Sequence, residues 1–191
     1  LEWLKENVIE NHGPLGALYP QKTWTAPNPH SAMKEGDTPS WFYFLPNGLN
    51  VPENPEYGGW GGRFEPIKNQ YFNDATDTWS GISNSRVTVA RWREDFQQAF
   101  AARMDWCVKS PQESNHAPVP MINGYTPGMP IRISTAKGEN LKLNASGSSD
   151  PDGDQLMFDW MIYPEAGDLQ QEVAFQAKGP EFEMEMVDLD G

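Results

Sequence analysis

A single cysteine, Cys107, is all that the 191 residues contain, so no internal disulfide is available and cohesion must come from packing and hydrogen bonds. Histidine is nearly as scarce: His12, His30 and His116 stand far apart, without the spacing of a metal-ligand cluster. No Gly-rich phosphate loop and no Gly-x-Ser-x-Gly nucleophile elbow occurs. Positive charge is short as well. Fourteen Lys and Arg face 27 Asp and Glu, and the resulting −13 repels phosphate backbones and argues against a nucleic-acid partner. No apolar run approaches the ~18–20 residues of a membrane-spanning helix, so no membrane partner is expected. An initiating Met and a signal-peptide pattern are also missing. The opening Leu1-Glu2-Trp3 reads as the inside of a helix, and the expectation is an internal fragment of a longer protein.

What the chain has instead is turn residues and rings. Seventeen Gly and 17 Pro make it rich in loops, while eight Trp, nine Phe and six Tyr supply enough apolar surface for a folded core. The acidity is uneven: residues 1–112 carry −3 and residues 113–191 carry −10.

Leu1, Leu4, Val8 and Ile9 predict a packing helix that ends at His12-Gly13-Pro14, followed by an irregular stretch from Leu15 to Lys34. Asp37 or Thr38 as cap, with Pro39 in the first turn, predicts a short helix through the apolar run Trp41–Leu45. Residues 50–73 read as loop. The spacing of Val89, Trp92, Phe96, Phe100, Met104 and Cys107 predicts one helix over 86–108, with Trp92 and Trp106 in the core and Cys107 buried on its seam. Three prolines in Ser110–Pro120 indicate a linker, placed at 113–120 between domains of 1–112 and 121–191. Beyond it the period falls to two, at Leu141 and Leu143, at Leu156, Phe158, Trp160 and Ile162, and at Phe182, Met184 and Met186. Alternating strands with a candidate core Trp160 predict an all-β, immunoglobulin-like sandwich, short by at least one closing strand.

The residues Glu35-Gly36-Asp37-Thr38-Pro39-Ser40, then Pro46-Asn47-Gly48-Leu49-Asn50, then Gly59-Trp60-Gly61-Gly62-Arg63-Phe64, then Arg91-Trp92-Arg93 and Phe100-Ala101-Ala102-Arg103-Met104-Asp105-Trp106-Cys107, occur in an order that is similar to one family. It resembles the bacterial cellulose-binding proteins with a nucleoside-hydrolase-like domain. The resemblance implies an α/β domain, represented here by its C-terminal part, followed by an immunoglobulin-like domain. It implies a secreted or periplasmic protein whose partner is a polysaccharide such as cellulose. It further implies that Asp37 stands where nucleoside hydrolases place a late aspartate ligand to calcium. The general-acid histidine before that aspartate is replaced by Gly36, and the remaining calcium ligands and the water-activating group would lie upstream. The rival reading under this resemblance is a calcium-dependent hydrolase of glycosidic or N-glycosidic bonds. The plainer reading of Asp37 is a helix cap.

Trp41, Tyr57, Trp60 and Trp79 lie in or beside Gly/Pro-rich segments, where flat rings stack on sugar faces, and Arg63 with Glu65 would hydrogen-bond hydroxyls in the same groove. The competing reading of each ring is core packing. In Ser148-Ser149-Asp150-Pro151-Asp152-Gly153-Asp154, three carboxylates at alternate positions resemble the start of a calcium loop, with Asp150, Asp152 and Asp154 as ligands. A hydrogen-bonded turn needs no metal there. Glu181, Glu183 and Glu185 line one solvated sheet face rather than forming a catalytic pair. A third reading makes the β-sandwich only a spacer or docking module.

Overall fold

The computed structural model of the chain describes residues 2–19, 38–126, 128, 130–168 and 173–186. The first helix begins as α1 (Glu2–Leu4), widens into a π-helical turn over Lys5–Ile9 and stops at Glu10. Leu4 and Val8, four residues apart, turn inward together. They pack with Met104, flanked by Trp3, Ile9, Tyr19 and Phe100. The irregular stretch expected from Leu15 needs correction, because Gly13–Leu18 forms α2. Asn11 and Gly13 reverse the chain at φ of 62° and 64°. Pro14 then sits in the first helical turn, where its missing N–H costs nothing.

A short helix near Trp41 is present as α3 (Thr38–Phe42). The expected loop over 50–73 hides two three-residue strands, β1 (Phe64–Pro66) and β2 (Phe72–Asp74), paired antiparallel. A second hairpin follows at once, β3 (Asp77–Trp79) with β4 (Ile82–Asn84). Its two loop residues, Ser80 and Gly81, both have positive φ (51° and 77°), the twist that suits a tight hairpin. The α/β expectation is therefore met only as helices mixed with antiparallel hairpins. No parallel pairing occurs among the described residues.

The single helix expected over 86–108 is two: α4 (Val87–Ala90) and α5 (Arg93–Asp105), broken at Arg91-Trp92. Its end lies earlier than the apolar spacing suggests, and this corrects two residues. Trp106 and Cys107 fall in the turn after α5, where the helical period no longer directs a side chain inward, and both are exposed. Trp106 instead donates from Nε1 to the Asn115 carbonyl at 3.1 Å.

Residues 113–120 are not a free tether. Val119 exchanges both backbone hydrogen bonds with Ser149, at 2.7 and 3.1 Å, and His116 is held by Asp152. The C-terminal part contains one antiparallel sheet, β5 (Asn140–Asn144), β6 (Gln176–Lys178) and β7 (Glu181–Glu185), in the order β5-β7-β6. The strand expected over 156–162 alternates in burial as its sequence does, yet joins no ladder. It packs by side chains: the Trp160 ring lies 5.3 Å from that of Phe182 and its Nε1 donates to the Gly179 carbonyl at 2.9 Å. Among the described residues of the C-terminal part there is thus one sheet, with Trp160 of the segment 156–162 against its apolar face, and no second sheet.

Candidate functional site

The most constrained point of the chain is Asp77, fully buried at the start of β3. A carboxylate there requires partners, since an unpaired buried charge costs several kcal/mol. It has three. Arg63 Nε donates to Oδ1 at 2.8 Å, Arg91 donates to Oδ2 at 3.1 Å, and the Tyr163 hydroxyl donates to the same oxygen. Arg63 also donates to the Thr76 carbonyl at 2.9 Å. Arg91 lies with its guanidinium carbon 4.0 Å from the Tyr163 ring centroid, 5.5 Å from that of Trp92 and 5.3 Å from that of Trp79. Glu165 closes the cluster, accepting from the Thr78 N–H at 3.0 Å and standing 3.5 Å from Arg91. Burial and the Asp77 carboxylate push the Tyr163 hydroxyl well above the usual tyrosine range, so it remains a donor at neutral pH.

A second polar anchor is Asn50, 3% exposed. Its Nδ2 donates to the Phe42 and Leu45 carbonyls, both at 2.8 Å, and its Oδ1 accepts from the Trp60 N–H at 3.1 Å. This ties the end of α3 to the Gly58–Gly62 loop. At Gly59, with φ of 154°, a Cβ would lie 2.0 Å from Asn50 Oδ1, so glycine is required for the approach.

These anchors sort the rings named from the sequence. Trp60 packs edge-on against Phe42 and Phe96, with centroids at 5.9 and 6.4 Å, and serves as a wall of the interior. Trp41 on α3 is 64% exposed, and Trp79 at the tip of the β3–β4 hairpin is 49% exposed beside an exposed Ile82. Tyr57 is exposed, with Arg132 5.8 Å from its centroid. Arg63 is corrected: its guanidinium is buried and spent on Asp77 and Thr76, so it does not face hydroxyls in a groove. Glu65, at 3.7 Å from Arg63, is exposed. The residues missed by sequence reading are Asn50, Asp77, Arg91, Tyr163 and Glu165. Asn50 and Arg91 did appear within quoted motifs, but the partners of Arg91 are 14 and more than 70 positions away, beyond the reach of local spacing.

Among the described residues, the calcium implied by the family resemblance finds no matching donor set. Asp37 lies outside the described residues. Asp150 uses Oδ1 to accept from the N–H groups of Asp152, at 2.8 Å, and Asp154, at 3.4 Å. Asp152 binds the His116 backbone N–H at 2.6 Å and its ring Nδ1 at 2.9 Å, and these bonds hold its carboxyl below the usual range. Among the described residues no three His, Cys, Asp or Glu side chains converge as a cation site. The hydrogen-bonded turn is the arrangement present.

Among the described residues no helix is long and apolar enough to cross a membrane. No curated protein matches the chain. Residues 1–64 match the family described as cellulose-binding Sde182, nucleoside hydrolase-like domain. Residues 140–189 match the family described as cellulose-binding protein Sde0182, C-terminal domain. A solved nucleoside hydrolase-related hypothetical protein from Saccharophagus degradans, described as associated with carbohydrate metabolism, is similar at 30% identity and a TM-score of 0.76. That similarity covers 97% of this chain but 46% of the other, so the chain spans less than half the length of that relative. Two stretches of the chain, in the order the sequence motifs indicate, are thus similar to the nucleoside-hydrolase-like domain and to the C-terminal domain of cellulose-binding proteins.

Proposed function

We propose that this chain binds cellulose through exposed rings held on a stiff polar frame, with no covalent step in its own residues. The carrying observation is Trp79. Its ring stands half exposed at a two-residue hairpin tip, backed by Arg91, which is itself fixed by Asp77 and flanked by Glu165. A ring already held in place loses little entropy on stacking against a sugar. Trp41 and Tyr57 offer further exposed rings, and the family descriptions name cellulose as what such proteins bind. The chain's acidity suits an uncharged polymer.

Because cellulose lies outside the cell, this reading carries a secreted or periplasmic location with it. We further read the sheet β5-β7-β6 and residues 156–162 as the two layers of an immunoglobulin-like sandwich. The support is the inward contact of Trp160 with Phe182 and the match over residues 140–189. The test of the binding reading is a depletion isotherm on microcrystalline cellulose. Trp79→Ala should weaken retention about tenfold, near 1.4 kcal/mol, with the fold intact by circular dichroism. Unchanged retention in both Trp79→Ala and Trp41→Ala would remove the rings from the account.

A further inference from the structure

The two faces of the sheet β5-β7-β6 differ in kind. Leu143, Phe182 and Ala177 form one cross-strand row on the face covered by Trp160. The rows on either side of it point the other way, since side chains alternate along a strand. One outer row is Asn144, Glu181, Lys178 and the next is Lys142, Glu183, Gln176. Each holds one amide, one carboxylate and one ammonium, so each sums to zero charge, within a segment that carries −10.

Asn123 closes one side, donating from Nδ2 to the Lys142 carbonyl at 3.3 Å and accepting from the Asn144 N–H at 2.8 Å. The outcome is a hollow of about 520 Å³ lined by these residues together with Leu143, Ala177 and Phe182 of the row between them. That volume falls in the range of about 300–1,000 Å³ typical of small-ligand sites. Lys142 and Glu183 are paired with each other at 3.0 Å. Asn140 Nδ2 donates to the same carboxylate oxygen at 2.9 Å. Gln176, Lys178 and Glu181 extend from the sheet with no side-chain bond to other described residues.

We propose that this hollow is a second binding site, for a single neutral glucan chain, distinct from the exposed rings. The inference rests on the glucan reading above for the identity of the sugar. The chemistry favours that class for three reasons. A hydroxyl both donates and accepts, and each row offers an acceptor, a cationic donor and an amide that does both. A polyanion would meet Glu181 and Glu183, and a metal ion would meet Lys142 and Lys178. An apolar ligand would leave the polar groups of both rows without water or partners, which is costly. Stacked rings suit the flat face of a crystal, whereas a hollow lined by hydrogen-bonding side chains suits one soluble chain.

The experiment titrates the full chain with a soluble β-1,4-linked glucose hexamer, reading affinity by calorimetry and location by amide shifts in labelled protein. Gln176→Ala combined with Glu181→Ala removes two side chains that hold nothing in the fold, and the thermal midpoint confirms that the variant folds. The expected result is hexamer binding at least tenfold weaker in that variant, with wild-type shifts on β6 and β7 and retention on insoluble cellulose unchanged within twofold. Hexamer binding that is equal in wild type and variant, or shifts confined to the neighbourhood of Trp79, would overturn the hollow while leaving the rings standing. A wild-type chain that ignores the hexamer would overturn it too. Loss of hexamer binding in the sheet variant, beside unaltered cellulose retention in Trp79→Ala, would uphold the hollow and refute the rings.

Discussion

Asp77 is the residue on which the most distant parts of the chain agree. Its carboxylate is reached by Arg63, Arg91 and Tyr163, and none of the four can leave without stranding charge or a donor in the interior. Asp77→Ala should therefore destabilise the chain by about 3–5 kcal/mol in denaturant unfolding, the usual cost of removing one partner from a buried ion pair. A loss below about 1 kcal/mol would mean that water enters the cluster and screens it. Tyr163 adds a pH signature. Its folded pKa is raised, by burial first and then by the hydrogen bond to Asp77, above the value of about 10 that the unfolded chain has. The contribution is thus fully present below pH 10 and is lost as the pH rises toward and through the folded value. Tyr163→Phe should flatten that alkaline decline in the thermal midpoint while leaving the slope between pH 6 and 8 as it was. A parallel decline in wild type and variant would assign it to other groups, Tyr43 among them, whose hydroxyl is pushed up to about 12 by burial and by Glu53 and Glu56.

At the scale of elements, tight turns do much of the positioning. Gly58 has φ of 75°, and a Cβ there would come within 2.8 Å of the Tyr163 hydroxyl and 2.9 Å of its ring. Gly58→Ala should accordingly cost both backbone strain and the Tyr163 contact, a drop of about 1–3 kcal/mol in chemical denaturation, against a neutral outcome if the ring simply moves aside. How far such features were legible in the sequence depends on their range. The period of two in Leu141–Leu143 and Phe182–Met184 located β5 and β7, because half-buried strands write their pattern into adjacent residues. The same period at Leu156–Ile162 matches the alternation of burial there, but could not say whether a neighbour would supply ladder hydrogen bonds, and no strand forms. Three-residue strands such as β1 and β2 are too short to show a period at all. The helix break at Arg91-Trp92 was masked by apolar residues that keep the spacing of three and four on both sides of it. The exposed rings were found in the sequence as candidates, yet the order among them was not. Trp60 turns inward because Phe42 and Phe96, distant in sequence, offer it edges to pack on.

For the whole molecule, the polar cluster makes the two ends of the chain one mechanical unit. Tyr163 and Glu165 come from the acidic C-terminal segment, and they hold Asp77, Thr78 and Arg91 of the earlier one, beside the Trp79 tip. Arg132 beside Tyr57 repeats the pattern at a second ring. The rings proposed to meet the polymer are consequently fixed by residues of both segments. The measurement that tests this account most directly is a pull-down of the folded chain on insoluble cellulose, beside xylan and chitin, comparing wild type with Trp79→Ala and with Glu165→Ala. Retention on cellulose by the wild type, weakened about tenfold by the ring substitution and measurably by loss of Glu165, is the predicted result. Folded wild-type chain that stays in the supernatant, or retention indifferent to both substitutions, would contradict it.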